Sequence, residues 1–317
     1  MAHLKLVLTL LLLITLSIAV TLRLLQILAP RRPPPKARPY PNPHLARTPG
    51  INTPYHRLKL LGTFNPQLAN QYTYLLVVLG SGGHTAEMMA LLENLDRDDG
   101  SGITQYTHRR YVVSEGDEVS VRRAKAFEEE FAGACERDAT SRETRGVPGG
   151  MASRDPGTNN QRPNYGSWDV VVVPRARKIH QSLWTAPMSC LRCLVACLRL
   201  LSTPPPDPKG PGMWRMKATA RARPRKMMPR YPNLILTNGP ATATVMVLAA
   251  TVLRFFDYRG ANEANALRTI YVESFARVKK LSLSGRILLP LVDRFLVQWM
   301  ELVTPGSRTE YVGICVW

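Results

Sequence analysis

Cysteine is scarce in this chain. Five residues in 317 cannot build the disulfide framework of a small secreted domain, and the odd number favours a reducing compartment. Acidic side chains are also few: 23 Asp and Glu against 42 Lys and Arg leave a formal net charge of +19. That balance draws the chain to something anionic, whether nucleic acid, phosphate groups or an acidic membrane face. Aromatic residues make up only 7% and do not alternate with the basic clusters, and no nucleic-acid motif is recognisable, which argues against nucleic acid. Paired CxxC motifs are missing. Cys190, Cys193 and Cys197 recur at helical spacing inside an apolar run, a pattern of core packing, so no metal is expected. What is present is 45% apolar residues, enough for a core, and a length that allows one large or two small domains.

Leu6 to Leu22 reads LVLTLLLLITLSIAVTL, strongly apolar and without a charge, and apolar residues resume after Arg23. A bilayer is spanned by about 17–25 such residues in a helix. Thr9, Thr15, Ser17 and Thr21 can bond back to helix carbonyls and do not forbid insertion. Ser17-Ile18-Ala19 resembles the cleavage site of a signal peptide. The resumed apolar run and the basic flank Arg31, Arg32, Lys36 and Arg38 favour an uncleaved anchor, and the same flank puts the body on the cytosolic side. Residues 30–54 hold nine prolines and read as an extended spacer. The expected organisation is an anchor over 1–29, a basic Pro-rich linker over 30–71, and a globular domain over 72–317.

Six apolar stretches punctuate that domain: YTYLLVVLG from Tyr72, RRYVVSE (109–115), WDVVVVP (168–174), PNLILTNG (232–239), TIYVES (269–274) and DRFLVQW (293–299). Helical patterns lie between them, among them a charged surface helix over 118–131 and three unusually apolar stretches at Leu183–Leu201, Ala243–Phe256 and Leu283–Val292. Continuous apolar strands separated by helices predict an α/β, Rossmann-like parallel sheet covered on both faces, with ligands at the carboxyl ends of its strands. The apolar helices read as core or as shallow burial in the bilayer. Polar stretches at 135–166 and 203–230 read as long inserted loops; the second carries eight basic residues and one acidic.

Chemistry concentrates in three strand-to-helix loops. Leu75–Leu92 reads LLVVLGSGGHTAEMMALL: a strand, a glycine turn, a helix start. Glycines allow close backbone approach, and the unpaired amides of such a turn favour an anion such as diphosphate. The turn lacks the acidic partner of a dinucleotide fingerprint and the Lys-Ser/Thr of a P-loop, so no nucleotide cofactor is expected. His84 at the helix start can bond a phosphate or act as a base, which makes it the catalytic candidate. The second loop is LTNGPATAT, where Gly239 suits the turn and Pro240 the first helical position. The third is YVESF, with Glu273 and Ser274. Together they suit a phosphorylated sugar, although Asn238 can be only a turn residue and Glu273 can simply pair with an arginine.

The segments VVLGSGGHTAEMMALL, YVVSEGDEVS, VPRARKIHQS, YPNLILTNGP, TIYVESFARVKKLSLSG and LVDRFLVQW, in that order behind an N-terminal anchor, resemble the family of membrane-anchoring subunits of the UDP-N-acetylglucosamine transferase of dolichol-linked oligosaccharide synthesis. The resemblance implies the acceptor-binding N-terminal half of a GT-B glycosyltransferase. The UDP-sugar site would lie on a separate cytosolic catalytic chain. Together the two chains would add the second N-acetylglucosamine to dolichyl diphosphate N-acetylglucosamine, so this chain alone would not be an autonomous enzyme. The implied location is the endoplasmic reticulum membrane, with the nuclear envelope as a second. Carried over, Gly80, Ser81, Gly82, Gly83 and His84 would face the acceptor diphosphate, and Asn238, Gly239, Pro240, Glu273 and Ser274 would line the sugar crevice. The C-terminal Tyr311, Val312, Gly313, Ile314, Val316 and Trp317 would hold the partner. The alternative is a self-sufficient single-chain membrane glycosyltransferase, against which the length speaks: a second nucleotide-binding half is not found within 317 residues. Two departures stand out. Ala241 follows Asn-Gly-Pro where relatives usually carry Gly-Thr, and Ala276 stands where they often carry cysteine.

Overall fold

The computed structural model describes residues 2–28, 73–97, 106–144, 166–177, 186–205, 229–263, 266–303 and 307–314, with 103, 181 and 184. The expected linker, most of both expected inserts, and Val316 and Trp317 lie outside the described residues.

Seven strands form one parallel sheet: β1 (Tyr74–Val78), β2 (His108–Ser114), β3 (Ser167–Val173), β4 (Leu234–Asn238), β5 (Arg268–Val272), β6 (Arg294–Val297) and β7 (Thr309–Tyr311). Their order is β3-β2-β1-β4-β5-β6-β7. The first six are the apolar runs of the sequence, within a residue or two at each end, and β7 joins as a short edge strand against β6. The helices are α1 (Ala2–Ile27), α2 (Gly83–Arg97), α3 (Glu118–Thr144), α4 (Ala186–Ser202), α5 (Thr242–Phe255) and the short α6 (Leu283–Leu288).

The pleat sorts the core into two layers. On β1, Tyr74, Leu76 and Val78 meet Cys193 and Cys197 of α4 and Met246 and Ala250 of α5. Leu75, Val77 and Leu79 turn the other way, toward Met88 and Leu92 of α2 and Phe127 and Phe131 of α3. A strand buried on both sides must be apolar at every position, which is why YLLVV does not alternate. Of the three α4 cysteines, Cys193 and Cys197 are core residues with sulfurs 4.0 Å apart, and Cys190 packs half-buried against the core.

Two expectations change. The helix over 118–131 is not merely a charged surface element: Ser120, Ala124, Phe127, Glu128 and Phe131 are buried along one face. It also runs on to Thr144, so 135–144, expected as the start of a loop, is helical. Residues 135–144 carry Glu136, Arg137, Arg142 and Glu143, good helix formers, and no Gly or Pro stands between Gly133 and Gly146.

α1 is long and apolar enough to cross a membrane over Leu4–Ile27, and of that stretch only Ile27, at its end, is buried. Thr9, Thr15 and Thr21 bond back to the carbonyls of Leu6, Leu12 and Ser17. Arg23, which interrupts the run, has a task at the far end. Its guanidinium donates to the carbonyls of Phe255 (2.7 Å) and Arg254 (3.2 Å), the last turn of α5. A cation at a helix C-terminus meets the negative end of the dipole and satisfies open carbonyls. Arg254 returns a bond to the carbonyl of Ile27. The anchor is thus docked on the face of the sheet that carries α4, α5 and α6.

Candidate functional site

The chain runs outward from β1 to β3, then returns to β4 on the other side of β1. Strand order therefore reverses between β1 and β4, and the crevice beyond their carboxyl ends is where doubly wound sheets bind ligands. The loops carrying His84 and Asn238 flank that reversal.

The five residues Gly80–His84 do different jobs. A Cβ on Gly80 would lie 2.7 Å from Cβ of His84, and one on Gly239 would lie 2.9 Å from its Cγ, so both glycines make room for the imidazole. Gly82 takes φ +63°, which a side chain would strain. At Gly82 and Gly83 a Cβ would meet nothing within 4 Å. The backbone there faces open space at the first turn of α2, and Ser81 is exposed beside it.

Behind the turn is a polar support that the sequence reading did not identify. Thr85 donates to the carbonyl of Gly80 and meets the Ser120 hydroxyl at 2.6 Å. Ser120 donates to Asp117 at 2.7 Å, and Asp117 also accepts the Ser120 amide at the start of α3. Thr85 and Ser120 are fully buried. The hydroxyls leave the glycine turn braced from below.

The second missed residue is Glu87, one turn along α2. Its carboxylate accepts the Asn238 amide at 2.9 Å and the Ser274 hydroxyl at 2.9 Å, and lies 3.8 Å from Nδ1 of His84. His84 Nδ1 lies 3.1 Å from Oδ1 of Asn238. One carboxylate thus gathers residues from all three candidate loops. Side-chain exposure is 28% for His84 and 14% for Glu87, so the ring remains open to the crevice while its support is covered. Glu87 itself raises the His84 pKa above 6.5, against the effect of partial burial. For Glu87, burial pushes the pKa up, but bonds from His84, Asn238 and Ser274 outweigh it and hold the carboxyl below its ordinary range. Sequence carried one signal for this residue: Glu87 stands three positions after His84, on the same helix face.

Glu273 is used differently from its expected place in a crevice wall. It is 1% exposed, and its carboxylate accepts the amide and hydroxyl of Ser282 and the amide of Ser274. It ties the loop after β5 to the start of α6. Pro240 also differs from expectation. Ala241 takes φ 56° and ψ −83°, outside the helical region, so α5 begins at Thr242 and Pro240 precedes it by two residues. At the C-terminal edge, Val312 is fully buried and its amide bonds Val297, so this residue belongs to the chain's own sheet. Tyr311 ends β7, and Gly313 and Ile314 follow it. Among the described residues no three His, Cys, Asp or Glu side chains converge to hold a metal ion.

Residues 75–315 match the model of the family described as oligosaccharide biosynthesis protein Alg14 like. A UDP-N-acetylglucosamine transferase subunit alg14 of Aspergillus fumigatus is 38% identical over 72% of this chain and 100% of its own length. The subunit of the same name from Schizosaccharomyces pombe is 34% identical over 76% of this chain and 82% of its own. The human one is 28% identical, covering 75% and 81%. No solved structure matches the chain.

Proposed function

The chain belongs to the Alg14 family of oligosaccharide biosynthesis proteins, and from that premise we propose that it is the membrane-anchored, acceptor-binding subunit of a two-chain UDP-N-acetylglucosamine transferase. Its reaction is the addition of the second N-acetylglucosamine to dolichyl diphosphate N-acetylglucosamine in N-glycan precursor synthesis. The observation that carries this reading is the glycine turn at the strand reversal, with open space over Gly82 and Gly83 and a half-covered His84 beside it. Amides of the turn and of the α2 N-terminus suit a diphosphate. His84 adds a positive charge at the same place, because Glu87 favours its protonated form. Phosphate binding is therefore the role assigned to His84. Gly239 and the exposed Pro240 stand at the adjoining wall for the acceptor sugar, with the buried Asn238, Ser274 and Glu273 holding that wall in place from behind.

The donor site and a catalytic cytosolic chain complete the enzyme. The partner meets the edge of the sheet beyond β7, through Ile314 and the residues after it. The anchor retains the body on the cytosolic face of the endoplasmic reticulum, in line with the basic flank at 31–38 and a net charge of +19. The anchor, linker and globular divisions near residues 29 and 71 follow the same reading. The test is co-purification of the full-length chain with a soluble partner, then assay of each chain alone and of both together. Transfer only by the pair supports the proposal. Transfer by this chain alone makes it a self-sufficient enzyme. Protease protection in sealed microsomes checks the orientation: a shielded body contradicts it.

A further inference from the structure

Glu87 meets three partners, Asn238, Ser274 and His84, and its side chain is mostly covered. The directions of its bonds fix more than position. A carboxylate only accepts, so the Asn238 atom facing it at 2.9 Å must be the amide nitrogen. The Asn238 oxygen then faces His84 Nδ1 at 3.1 Å, and because that oxygen only accepts, Nδ1 must carry a proton. The chain of donors runs from His84 to Asn238 to Glu87, and the second carboxylate oxygen is held by Ser274 at 2.9 Å.

We propose that Glu87 is a positioning residue: acting through Asn238, it fixes His84 with Nδ1 protonated and Nε2 as the atom offered to the acceptor's phosphate. This rests on the reading of the crevice as the acceptor site and adds to it the residue that sets the histidine's tautomer, tilt and charge. The need for such a residue follows from the helix. His84 is the second residue of α2, at the positive end of the dipole, where an imidazolium is disfavoured. Glu87, a turn later, supplies the opposing charge. Gly80 and Gly239 remove the side chains that would push the ring away from Asn238. The other charged groups around the ring are Glu273, from the loop after β5, whose field also favours the charged ring, and Arg123 of α3, which bonds the Gly82 carbonyl at 3.2 Å.

The test uses the full-length chain with its partner. Glu87→Gln keeps an acceptor for Asn238 and a donor for Ser274 but removes the charge. The KM for a dolichyl diphosphate N-acetylglucosamine acceptor should rise about 10- to 100-fold near neutral pH, as for loss of a bond to a charged group. The defect should shrink as the pH falls and His84 protonates without help. A merely structural role lowers the amount of folded enzyme equally at every pH, and that outcome overturns the proposal. So does a wild-type KM and pH profile in Glu87→Gln while His84→Ala is impaired. If His84→Ala is itself as active as wild type, the reading of the crevice fails, not only this role for Glu87. Should the Gln variant fail to assemble, the wild-type chain still decides. Its His84 side-chain ¹⁵N resonance, assigned by its loss in His84→Gln, should show a protonated Nδ1 in the neutral ring. A neutral ring protonated on Nε2 overturns the proposal.

Discussion

At the amino edge of the sheet, Arg109, Arg110, Arg268 and Arg294 are each tied to a carboxylate, from Glu128, Asp169, Asp293 and Glu310. At the carboxyl edge, Glu87 holds an amide, a hydroxyl and a partly exposed imidazole. The Arg109–Glu128 pair is closed: two 2.7 Å bonds, a third to Glu128 from Tyr111, and 1% exposure on both side chains. Nothing is left over for a ligand. The carboxyl-edge group is left open on one side, between glycines whose absent side chains leave room. Both edges are polar and both are built at strand ends, yet the amino-edge guanidinium groups are largely covered, including the unpartnered and buried Arg294 Nη1, whereas the His84 ring stays partly exposed beside open space. Charge at a sheet end is therefore not itself a sign of a site; a polar group left open to a crevice is.

The largest effect is expected from breaking the closed edge. Glu128→Ala strands a buried guanidinium and should cost about 3–5 kcal/mol of stability, read from thermal unfolding of the assembled protein. Transfer per folded molecule should stay at the wild-type level, and a selective loss of turnover would mean that the two edges are coupled. The open edge should respond in the opposite manner. His84→Ala should leave the melting temperature nearly unchanged and weaken acceptor binding by about 1.5–3 kcal/mol. If instead the acceptor KM holds and turnover at saturation falls by about 10²–10⁴-fold, His84 is the general base.

The imidazole of the carboxyl edge and the carboxylate of the amino edge titrate in opposite senses. The folded pKa of His84 is raised above 6.5, so the contribution of the imidazolium is complete below that value and is lost as pH rises through the folded pKa. Acceptor KM should climb over that range, and a flat profile contradicts the phosphate role. Burial pushes Asp169 up, but the bonds from His108 and Arg110 prevail and hold it below 3.8. Its contribution is present above 3.8 and disappears as pH falls through the folded value, so acid should loosen the amino edge, as it should the hold of Glu87 on the carboxyl edge. Thermal melts across an acid series check this. The smallest expected effect belongs to Ala241, whose φ of 56° strains a residue with a side chain. Ala241→Gly should stabilise the fold by about 1 kcal/mol, seen as a higher melting temperature.

Much of the carboxyl edge was legible in the sequence, because a strand, glycines and a helix start are local signals. Gly80, His84, Asn238 and Ser274 converge as the strand ends required. Glu87 was barely legible: apart from its place three residues after His84, a Glu among Met, Ala and Leu reads as the solvent side of an amphipathic helix. Only the fold places it under two other loops. Thr85 and Ser120 escaped for the same reason: they meet across 35 residues of chain, and Asp117, three residues before Ser120, joins them only through it. The amino edge was the least legible. HRR at the head of a strand looks exposed, and only pairing with Glu128 and Asp169 makes those arginines buried. Glu273 showed the limit of reasoning from residue type: a carboxylate in the right loop turned inward to hold α6.

The central claim is that the glycine turn at the strand reversal receives the acceptor diphosphate. Gly83→Val tests it most directly, because φ there lies outside the left-handed region and a Cβ would meet no atom of another loop or strand within 4 Å, so the fold has little cause to change. The account predicts a variant that inserts into the membrane, recruits its partner, melts at the wild-type temperature and fails to transfer sugar to dolichyl diphosphate N-acetylglucosamine. Wild-type transfer by that folded complex would contradict it.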